Sequence, residues 1–519
     1  MSKWKEYLAS KVFIASKFLD RRNCFAKFML HYYGHCRLCF PLKKTIVMIV
    51  EQIYTGCLAQ GAYYIESENE AAIIDPLREV APYIKKAKAA SARIKYIFET
   101  HFHADFVSGH IDLAEQTGAQ IIYGPHAETS FDAYIAKDSE EFKLGKVSIR
   151  VLHTPGHTME SACYLLSDEE GKETALFSGD TLFIGDVGRP DLAQKSAHLT
   201  QEDLAGILFD SLRNRIMPLA DDIIVYPAHG AGSACGKNMS KQTTDTLGNQ
   251  KKHNYALRAN MTKAEFIDEV TRGLTVPPAY FPQNVKMNKE GYQHFDEVLS
   301  HGSKPLSPDE FETLANETGA LLLDTRDADT FATEFVPNAV NIGIDGGFAP
   351  WVGALISDVN HPVLLITDEG REEEVVTRLA RVGFDHAIGY LKGGIKAWKA
   401  AGKETDTIQL VSPEAVAEKI ALKEPVNVLD VRKESEYAAE HLIGAENIPL
   451  DHINDYLAQL DKDKTYYVHC ASGYRSMIFN SMLRARGFHK MADIKGGFKA
   501  IKESGKLPIS AFACPNTKQ

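Results

Sequence analysis

The sequence predicts a multi-domain protein of the α/β class, and three observations support this. The chain has 519 residues, and at roughly 150 residues per domain this length suggests three to four domains. From Met48 onward, short apolar strands alternate with helical stretches. In the carboxy-terminal half, one strand-and-helix pattern occurs twice, roughly 105 positions apart. We therefore expect one domain followed by two copies of a smaller α/β domain.

Composition and charge narrow the functional class. Hydrophobic residues make up 44% of the chain and charged residues 24%, as in ordinary globular proteins. The formal net charge of −11 argues against nucleic acid as a partner. No apolar run approaches the roughly 18 residues of a membrane helix, so no membrane partner is expected. The eight cysteines are scattered, which favours a reducing, cytoplasmic location over a disulfide scaffold.

The first 47 residues form a basic N-terminal extension with a different character. Residues 1–47 hold ten Lys/Arg and two acidic residues, and a lone C-x-x-C lies within HCRLC (35–39). A targeting segment, a zinc knuckle and a start upstream of the true one all remain open. We assign this extension no role, since the patterned sequence begins only at Met48.

The first domain, predicted over 48–250, places metal-binding side chains at the ends of strands. The segment THFHADFVSGH (100–110) has the alternating spacing of a metal-binding turn. Later strands in VLHTPGHT, TALFSGDTLF and DDIIVYPAHG also end in histidine or aspartate. Loops at strand ends are where a rigid sheet can aim ligands, so a metal site is predicted here. The side chains concerned are His101, His103, Asp105, His153, Asp180 and His229.

The order and wording of these segments resemble the metallo-β-lactamase superfamily over about residues 48–250. The resemblance implies an αββα sandwich with the metal at one edge of the sheets. In the family, the loop reads H-x-H-x-D-H, and its last histidine helps to hold a second metal. Here that position is Phe106, and His110 is expected to lie in the following helix. One metal per chain is therefore the expectation.

A mononuclear site of this kind resembles that of one branch of the superfamily, the persulfide dioxygenases. Two histidines and a carboxylate with open positions suit ferrous iron and oxygen chemistry. The resemblance implies Fe²⁺, one per chain, with zinc as the alternative. The implied ligands are His101, His153 and Asp180. The implied outer residues, which would orient the ligands by hydrogen bonds, are His103, Asp105 and His229.

The segment IGDVGRPDL (184–192) also resembles this branch, which carries G-R-x-D just after the aspartate ligand. Gly188, Arg189 and Asp191 match that pattern. The Arg189 guanidinium could bind a substrate carboxylate or hold the active-site loop. The sequence leaves both roles open.

The two repeats, at about 305–402 and 411–510, resemble rhodanese domains and follow a connector at 251–304. In the second copy, a strand ends at Cys470, and the loop CASGYR leads into a helix. Loop amides, including those at Ser472 and Gly473, and the helix N-terminus would bind the sulfur and substrate. Arg475 adds positive charge, and these surroundings lower the pKa of a thiol. Cys470 is therefore the predicted sulfurtransfer nucleophile.

The first copy is predicted to be inactive. Alignment of the strands places Thr367 where Cys470 stands in the second copy, so no thiol is available. Glu369 and Glu372 to Glu374 add negative charge, which opposes a thiolate.

The leading functional hypothesis is a persulfide dioxygenase coupled to a rhodanese sulfurtransferase. Its substrates would be O₂ and small persulfides such as glutathione persulfide, with thiosulfate and thiols exchanging sulfur at Cys470. The alternative is a dinuclear zinc thioester hydrolase of glyoxalase II type with accessory rhodanese domains. A sulfur carrier with a vestigial metal domain is a third hypothesis. The thiol carrier, the direction of sulfur transfer and the oligomeric state, a homo-oligomer included, are left open.

Overall fold

A computed structural model of the chain describes residues 48–194, 198–274 and 276–512. The basic N-terminal extension predicted at 1–47 lies outside these residues. In the described part of the chain, no helix has the length and apolarity required to cross a bilayer.

The first domain is built on two six-stranded sheets. The first sheet has the order β1-β2-β3-β4-β5-β6 and the second the order β12-β11-β10-β9-β8-β7. The strands of the first sheet are β1 (Ile49–Thr55), β2 (Gln60–Ser67), β3 (Glu70–Ile74), β4 (Arg93–Glu99), β5 (Gln120–Tyr123) and β6 (Tyr134–Ile135). Those of the second are β7 (Glu141–Leu144), β8 (Val147–His153), β9 (Ala162–Ser167), β10 (Glu173–Gly179), β11 (Ile224–Pro227) and β12 (Asp245–Thr246).

The side-chain alternation of these strands explains why the sheets are covered on both faces. In β2, Tyr63 and Ile65 point into a core shared with Phe177 of the second sheet. The intervening Ala62 and Tyr64 point to the opposite face and pack with the helical layer. A strand that is buried on both faces carries apolar residues at consecutive positions, as β2 does over Ala62–Ile65.

Helices cover the two outer faces and complete an αββα sandwich. On the first sheet lie α1 (Ala81–Ala90) and α2 (His110–Thr117). On the second lie α3 (Gln201–Ser211), α4 (Leu247–His253) and α5 (Lys263–Thr271). The helix α3 begins in a capping box, in which Thr200 and Asp203 satisfy each other's backbone amides. The predicted fold of this domain is confirmed.

Two further helices connect the sandwich to the repeats. They are α6 (Phe281–Glu290) and α7 (Phe295–Gly302). Phe281 of α6 belongs to one buried cluster with Phe106 of the sandwich and Val376 of the first repeat, and Asn284 and Asn288 of the same helix are also buried. These two helices of the connector therefore contribute to the core.

Each repeat folds around a five-stranded parallel sheet, and the two sheets have the same strand order. The first runs β13-β17-β16-β14-β15 and the second β18-β22-β21-β19-β20. The first repeat contains β13 (Pro305–Leu306), α8 (Pro308–Thr318), β14 (Leu321–Asp324), α9 (Ala328–Thr333), β15 (Val340–Asn341), α10 (Phe348–Leu355), β16 (Val363–Ile366), α11 (Glu372–Ala380), β17 (Ala387–Leu391) and α12 (Gly394–Ala400).

The second repeat contains the corresponding elements. They are β18 (Gln409–Val411), α13 (Pro413–Ala421), β19 (Asn427–Asp430), α14 (Glu434–Ala439), β20 (Glu446–Asn447), α15 (Ile453–Tyr456), β21 (Tyr466–His469), α16 (Tyr474–Arg484), β22 (Met491–Ile494) and α17 (Gly497–Ser504). Asp324 and Arg326 form a buried ion pair, and Asp430 and Arg432 repeat it at the same 2.6 Å. The internal repeat predicted from the sequence is confirmed.

Candidate metal centre and thiol loop

Three buried side chains converge at one edge of the sandwich. His101 follows β4, His157 lies in the loop after β8, and Asp180 follows β10. One potential ligand atom from each lies within 4.8 Å of the others. This group has the donors of a two-histidine, one-carboxylate metal site.

The assignment of His153 as a ligand is corrected to His157. His153 is the last residue of β8 and stays paired with Ala162 across the sheet. Its Nε2 donates to the carbonyl of Met159 at 2.9 Å, so the ring is turned away from Asp180. After the strand, Gly156 takes φ +137° and presses against Leu208 of α3, which turns the next residue, His157, towards the cluster.

Hydrogen bonds fix the tautomers of both histidines. The hydroxyl of Thr100 donates to Asp75 at 2.9 Å, so its oxygen accepts from Nδ1 of His101 at 3.0 Å. Nδ1 of His157 donates to the carbonyl of Arg189 at 2.9 Å. In both rings the proton is therefore on Nδ1, and Nε2 keeps its lone pair for a metal.

The G-R-x-D segment contacts two of the residues in this cluster, Asp180 and His157. A Cβ on Gly188 would lie 2.0 Å from the carbonyl oxygen of Asp180, so only glycine permits this close approach. The Arg189 guanidinium forms a two-pronged pair with Asp191 at 2.6 and 2.7 Å and also donates to the carbonyl of Ala234. This geometry favours the loop-holding role. Substrate binding by Arg189 stays a prediction.

The charge balance of the cluster fits a cation. Both carboxylate oxygens of Asp180 are buried and make no hydrogen bond in the described structure. A buried carboxylate that accepts no hydrogen bond is costly unless a cation neutralises its charge. Burial, together with the neighbouring histidines, lowers the pKa of His101 well below its usual range. The ring is therefore neutral, the form that binds metal.

The residues predicted for the outer layer also lie at this centre. Nε2 of His103 is 3.1 Å from Asp75 and 3.4 Å from Glu99. Burial by itself would lower the pKa of His103, but these two carboxylates outweigh it and raise the pKa to about 10. Nε2 of His229 lies 3.4 Å from Asp105 and 3.5 Å from Asp180. His103 is thus anchored to carboxylates of its own, beside the three-residue cluster.

Cys235 is a member of this centre that the sequence did not reveal. It is 1% exposed, and its sulfur groups with Asp180 and His229 as a further set of potential ligands. Burial raises the pKa of the Cys235 thiol to about 12. No spacing signal marks this cysteine, because it lies in an irregular loop rather than at a strand end.

Phe106 is fully buried and belongs to a core formed with the connector and the first repeat. Its ring packs on that of His103, with centroids 4.2 Å apart. The amide of Val107 donates to the carbonyl of Arg381 in the first repeat at 2.8 Å. The position that holds a ligand in the family loop is therefore used for packing between domains. His110 begins α2, as expected, and is not among the grouped ligands.

We expect Phe106→His to permit some binding of a second zinc ion, because Asp105, Asp180 and His229 already lie close to one another at this centre. Zinc titration with metal analysis of the bound fraction measures this. Phe106→Leu is the control, since it keeps an apolar side chain and adds no ligand. A saturating stoichiometry of one ion in Phe106→His would show that another feature blocks the second site.

The side chain of Asn288 in the connector holds the metal loop. Its amide nitrogen donates to the carbonyls of His103 and Phe106, both at 2.8 Å, and its oxygen accepts from the amide of Ser108 at 2.8 Å. Asn284 lies one turn earlier on α6, equally buried, but its amide makes no hydrogen bond among the described residues. This pair of asparagines offers a matched comparison.

Asn288→Ala is expected to lower the free energy of unfolding by about 2–4 kcal/mol, because it leaves buried backbone groups of the loop unsatisfied. It should also weaken metal binding. Asn284→Ala removes a similar volume without breaking a hydrogen bond and should cost less. Denaturant unfolding and metal titration of both variants measure this. Equal effects of the two substitutions would refute the positioning role of Asn288.

The thiol loop of the second repeat lies between β21 and α16, and the helix begins at Tyr474, two residues earlier than predicted. Cys470 follows β21 directly, and the residue is 1% exposed. The amide of Gly473 donates to the sulfur at 3.2 Å, and the hydroxyl of Ser476 donates at 3.6 Å. Gly473 takes φ +111°, and a Cβ on Gly497 would lie 2.6 Å from the carbonyl of Cys470. Both glycines are therefore required for the loop to close around the sulfur.

The other predicted residues of this loop have different surroundings. Arg475 is bound by both oxygens of Glu436 at 2.6 and 2.9 Å, so part of its charge is already neutralised. Ser472 is exposed at the mouth of the loop. The catalytic role of Arg475 and substrate binding by Ser472 and Gly473 stay predictions.

The equivalent position of the first repeat holds no thiol. Thr367 follows β16 as Cys470 follows β21, and it is buried. Arg371 is bound to Asp345 at 2.8 Å and to Glu374 at 2.9 Å. The alignment of Thr367 with Cys470 is confirmed.

Comparison with known proteins identifies the domains. The metallo-beta-lactamase superfamily profile matches residues 55–229. A crystal structure of a metallo-beta-lactamase from Staphylococcus aureus is 30% identical, covers 67% of this chain and 99% of its own, and superposes with a TM-score of 0.58. The chain belongs to the metallo-beta-lactamase superfamily. Two matches to the rhodanese-like domain, at 307–401 and 412–504, show that this superfamily member also carries two rhodanese-like domains.

Two of the curated relatives differ in function. A probable hydroxyacylglutathione hydrolase of Schizosaccharomyces pombe is 35% identical over 161 residues, which are 30% of this chain and 58% of that protein. The mitochondrial persulfide dioxygenase of Homo sapiens is 30% identical over 163 residues, which are 31% of this chain and 59% of that protein. The chain thus spans somewhat less than two thirds of each relative. The fold and its ligand groups imply a divalent metal.

Proposed function

We propose that this chain is a persulfide dioxygenase with one iron per chain, coupled to sulfurtransfer at Cys470. The observation that carries the proposal is the donor set of His101, His157 and Asp180 beside a position sealed by Phe106. Two histidines and one carboxylate with open positions suit ferrous iron, which when bound supplies the chemistry of O₂ activation.

Neighbouring residues of the protein orient the ligands of this centre. Thr100 and the carbonyl of Arg189 hold the two ligand rings with Nε2 facing Asp180. Burial of these side chains excludes bulk water, which strengthens every electrostatic interaction in the site. In the overall reaction, a persulfide RSSH, O₂ and water give the thiol RSH and sulfite with its protons. Both oxygen atoms of O₂ and one from water end on the terminal sulfur.

The second repeat supplies the sulfurtransfer step. The Cys470 thiolate attacks the sulfane sulfur of thiosulfate, a new S–S bond forms, and the S–S bond of thiosulfate breaks. Sulfite leaves with the electron pair, and Cys470 becomes a persulfide. Attack by an acceptor thiolate on that terminal sulfur regenerates Cys470. The Gly473 amide and the Ser476 hydroxyl stabilise the negative sulfur in both directions.

Thioester hydrolysis at two zinc ions is the second candidate function. Two observations favour it: the neighbouring ligand group of Asp180, His229 and Cys235, and the hydroxyacylglutathione hydrolases among the relatives. A pair of metal ions can generate and hold the hydroxide that attacks a thioester.

Metal analysis of anaerobically purified protein separates the two candidates. About one iron per chain, with no hydrolysis of a hydroxyacylglutathione thioester, is the expected result. Two zinc ions per chain with thioester hydrolysis would establish the alternative and overturn the dioxygenase proposal.

A further inference from the structure

The first repeat has no thiol, but it contacts the helix that carries the thiol loop of the second repeat. This helix, α16, begins directly after the thiol loop. Side chains along its length form hydrogen bonds with residues outside the helix. At its start, the hydroxyl of Tyr474 donates to the carbonyl of Gly343 at 2.7 Å. In its third turn, Ser481 accepts from the amide of Asn341 at 2.9 Å.

The end of α16 is held in the same way. Arg484 forms a two-pronged pair with Asp406 at 2.6 and 2.7 Å. Asp406 is itself tied by two backbone hydrogen bonds to Phe335 of the first repeat. Because Asn341 lies on the edge strand β15, α16 also covers an edge that would otherwise present unpaired backbone groups.

Two glycines of the first repeat leave space for the Tyr474 ring. A Cβ on Gly346 would lie 2.3 Å from the ring, and one on Gly343 would lie 3.3 Å from it. The ring therefore occupies space that any other residue at Gly346 would fill.

The second repeat has no glycines at the equivalent positions. Asn341 and Asn447 mark the same position, since each side chain donates to the carbonyls of the preceding Asp and Arg of its own repeat. Counting on from these asparagines, Gly343 corresponds to Pro449 and Gly346 to His452. The repeats differ at the positions that accommodate the tyrosine.

We propose that the thiol-free first repeat is a positioning domain for the thiol loop, with Tyr474 as the positioning residue for Cys470. Tyr474 follows Gly473, whose amide donates to the Cys470 sulfur. Anchoring Tyr474 on Gly343 therefore fixes the donor that stabilises the thiolate. The inference deepens the proposed sulfurtransfer and rests on it for the activity readout only, because the reactivity of the thiol can be measured independently.

The decisive variant is Tyr474→Phe in the full chain, which removes one hydroxyl and keeps the ring. The matched control is Tyr437→Phe, because Tyr437 also donates to a backbone carbonyl at 2.7 Å, that of Ala445, but within the second repeat. Alkylation of Cys470 by iodoacetamide is followed by mass spectrometry across a pH series, together with kcat and KM for transfer from thiosulfate to cyanide.

For Tyr474→Phe we expect Cys470 alkylation at pH 7 to slow about fivefold, the value of one net hydrogen bond. The pH midpoint of alkylation should rise, and kcat should fall with little change in KM for thiosulfate. Tyr437→Phe should match the unmodified protein. Gly346→Ala, a change in the first repeat, should reproduce the Tyr474→Phe effect if the variant stays folded by thermal melting.

Alkylation of Cys470 in Tyr474→Phe at the unmodified rate and pH midpoint would overturn the proposal. An equal effect of Tyr437→Phe would overturn it as well, since the change would then reflect general weakening of the domain. If the unmodified protein transfers no sulfur, the sulfurtransfer proposal fails, whereas a Tyr474-dependent alkylation midpoint would still support the positioning role.

Discussion

Replacing His101, His157 or Asp180 with alanine is expected to remove most of the bound metal and of the metal-dependent turnover. Each substitution takes away one of three converging ligands, and the remaining two leave a buried site with incomplete coordination. Transfer of sulfur from thiosulfate to cyanide should stay at the level of the unmodified protein, because Cys470 lies in another domain. Metal content and both activities should be measured on the same preparations.

His153→Ala is the matched control for His157→Ala. The two histidines are four residues apart in one segment, and only His157 approaches Asp180. We expect His153→Ala to retain its metal and His157→Ala to lose it. Full metal content in His157→Ala, or loss of metal in His153→Ala, would contradict the ligand assignment.

The second large effect is expected for Cys470→Ser, which should abolish sulfurtransfer. A serine hydroxyl cannot form a persulfide and is far less acidic than a thiol. Metal-dependent oxygen uptake with supplied persulfide should survive, since the metal centre does not include that thiol. A thiosulfate-to-cyanide assay and an oxygen electrode measure the two activities. Transfer by Cys470→Ser at more than a background rate would show that another group is the nucleophile.

The double variant Thr367→Cys, Cys470→Ser tests why the first repeat is silent. We expect no transfer, because the loop after Thr367 reaches Arg371 one residue sooner than the equivalent loop reaches Arg475. Arg371 is also already bound to Asp345 and Glu374. Activity near that of the unmodified protein would show that only the cysteine was missing.

Most of the fold could be predicted from the sequence because strand and helix patterns, the internal repeat and the strand-end motifs are local features. The incorrect assignment of His153 as a ligand shows where prediction from the local sequence fails. The segment HTPGH contains two histidines, and the turn at Gly156 decides which of them reaches Asp180. That turn depends on contact with Leu208, which lies more than fifty positions further along the chain.

Other features of the site depend on still longer-range contacts. The sequence shows that Phe106 replaces the last histidine of the family loop. The structure gives the reason, which is packing of Phe106 against the connector and the first repeat. Asn288 and Cys235 carry no motif, and only the folded chain brings them to the metal loop and the ligand cluster. Tyr474, which joins the two repeats, likewise matches no motif. Its role follows only from the contact of its ring with Gly343 and Gly346.

Oxygen consumption with glutathione persulfide tests the central claim most directly. It should be measured on anaerobically purified, iron-loaded protein, with sulfite determined in the same sample. The proposed function predicts rapid oxygen uptake, one sulfite formed per O₂ consumed, and loss of both in His157→Ala. Absence of oxygen uptake by protein that carries its full complement of iron would contradict it.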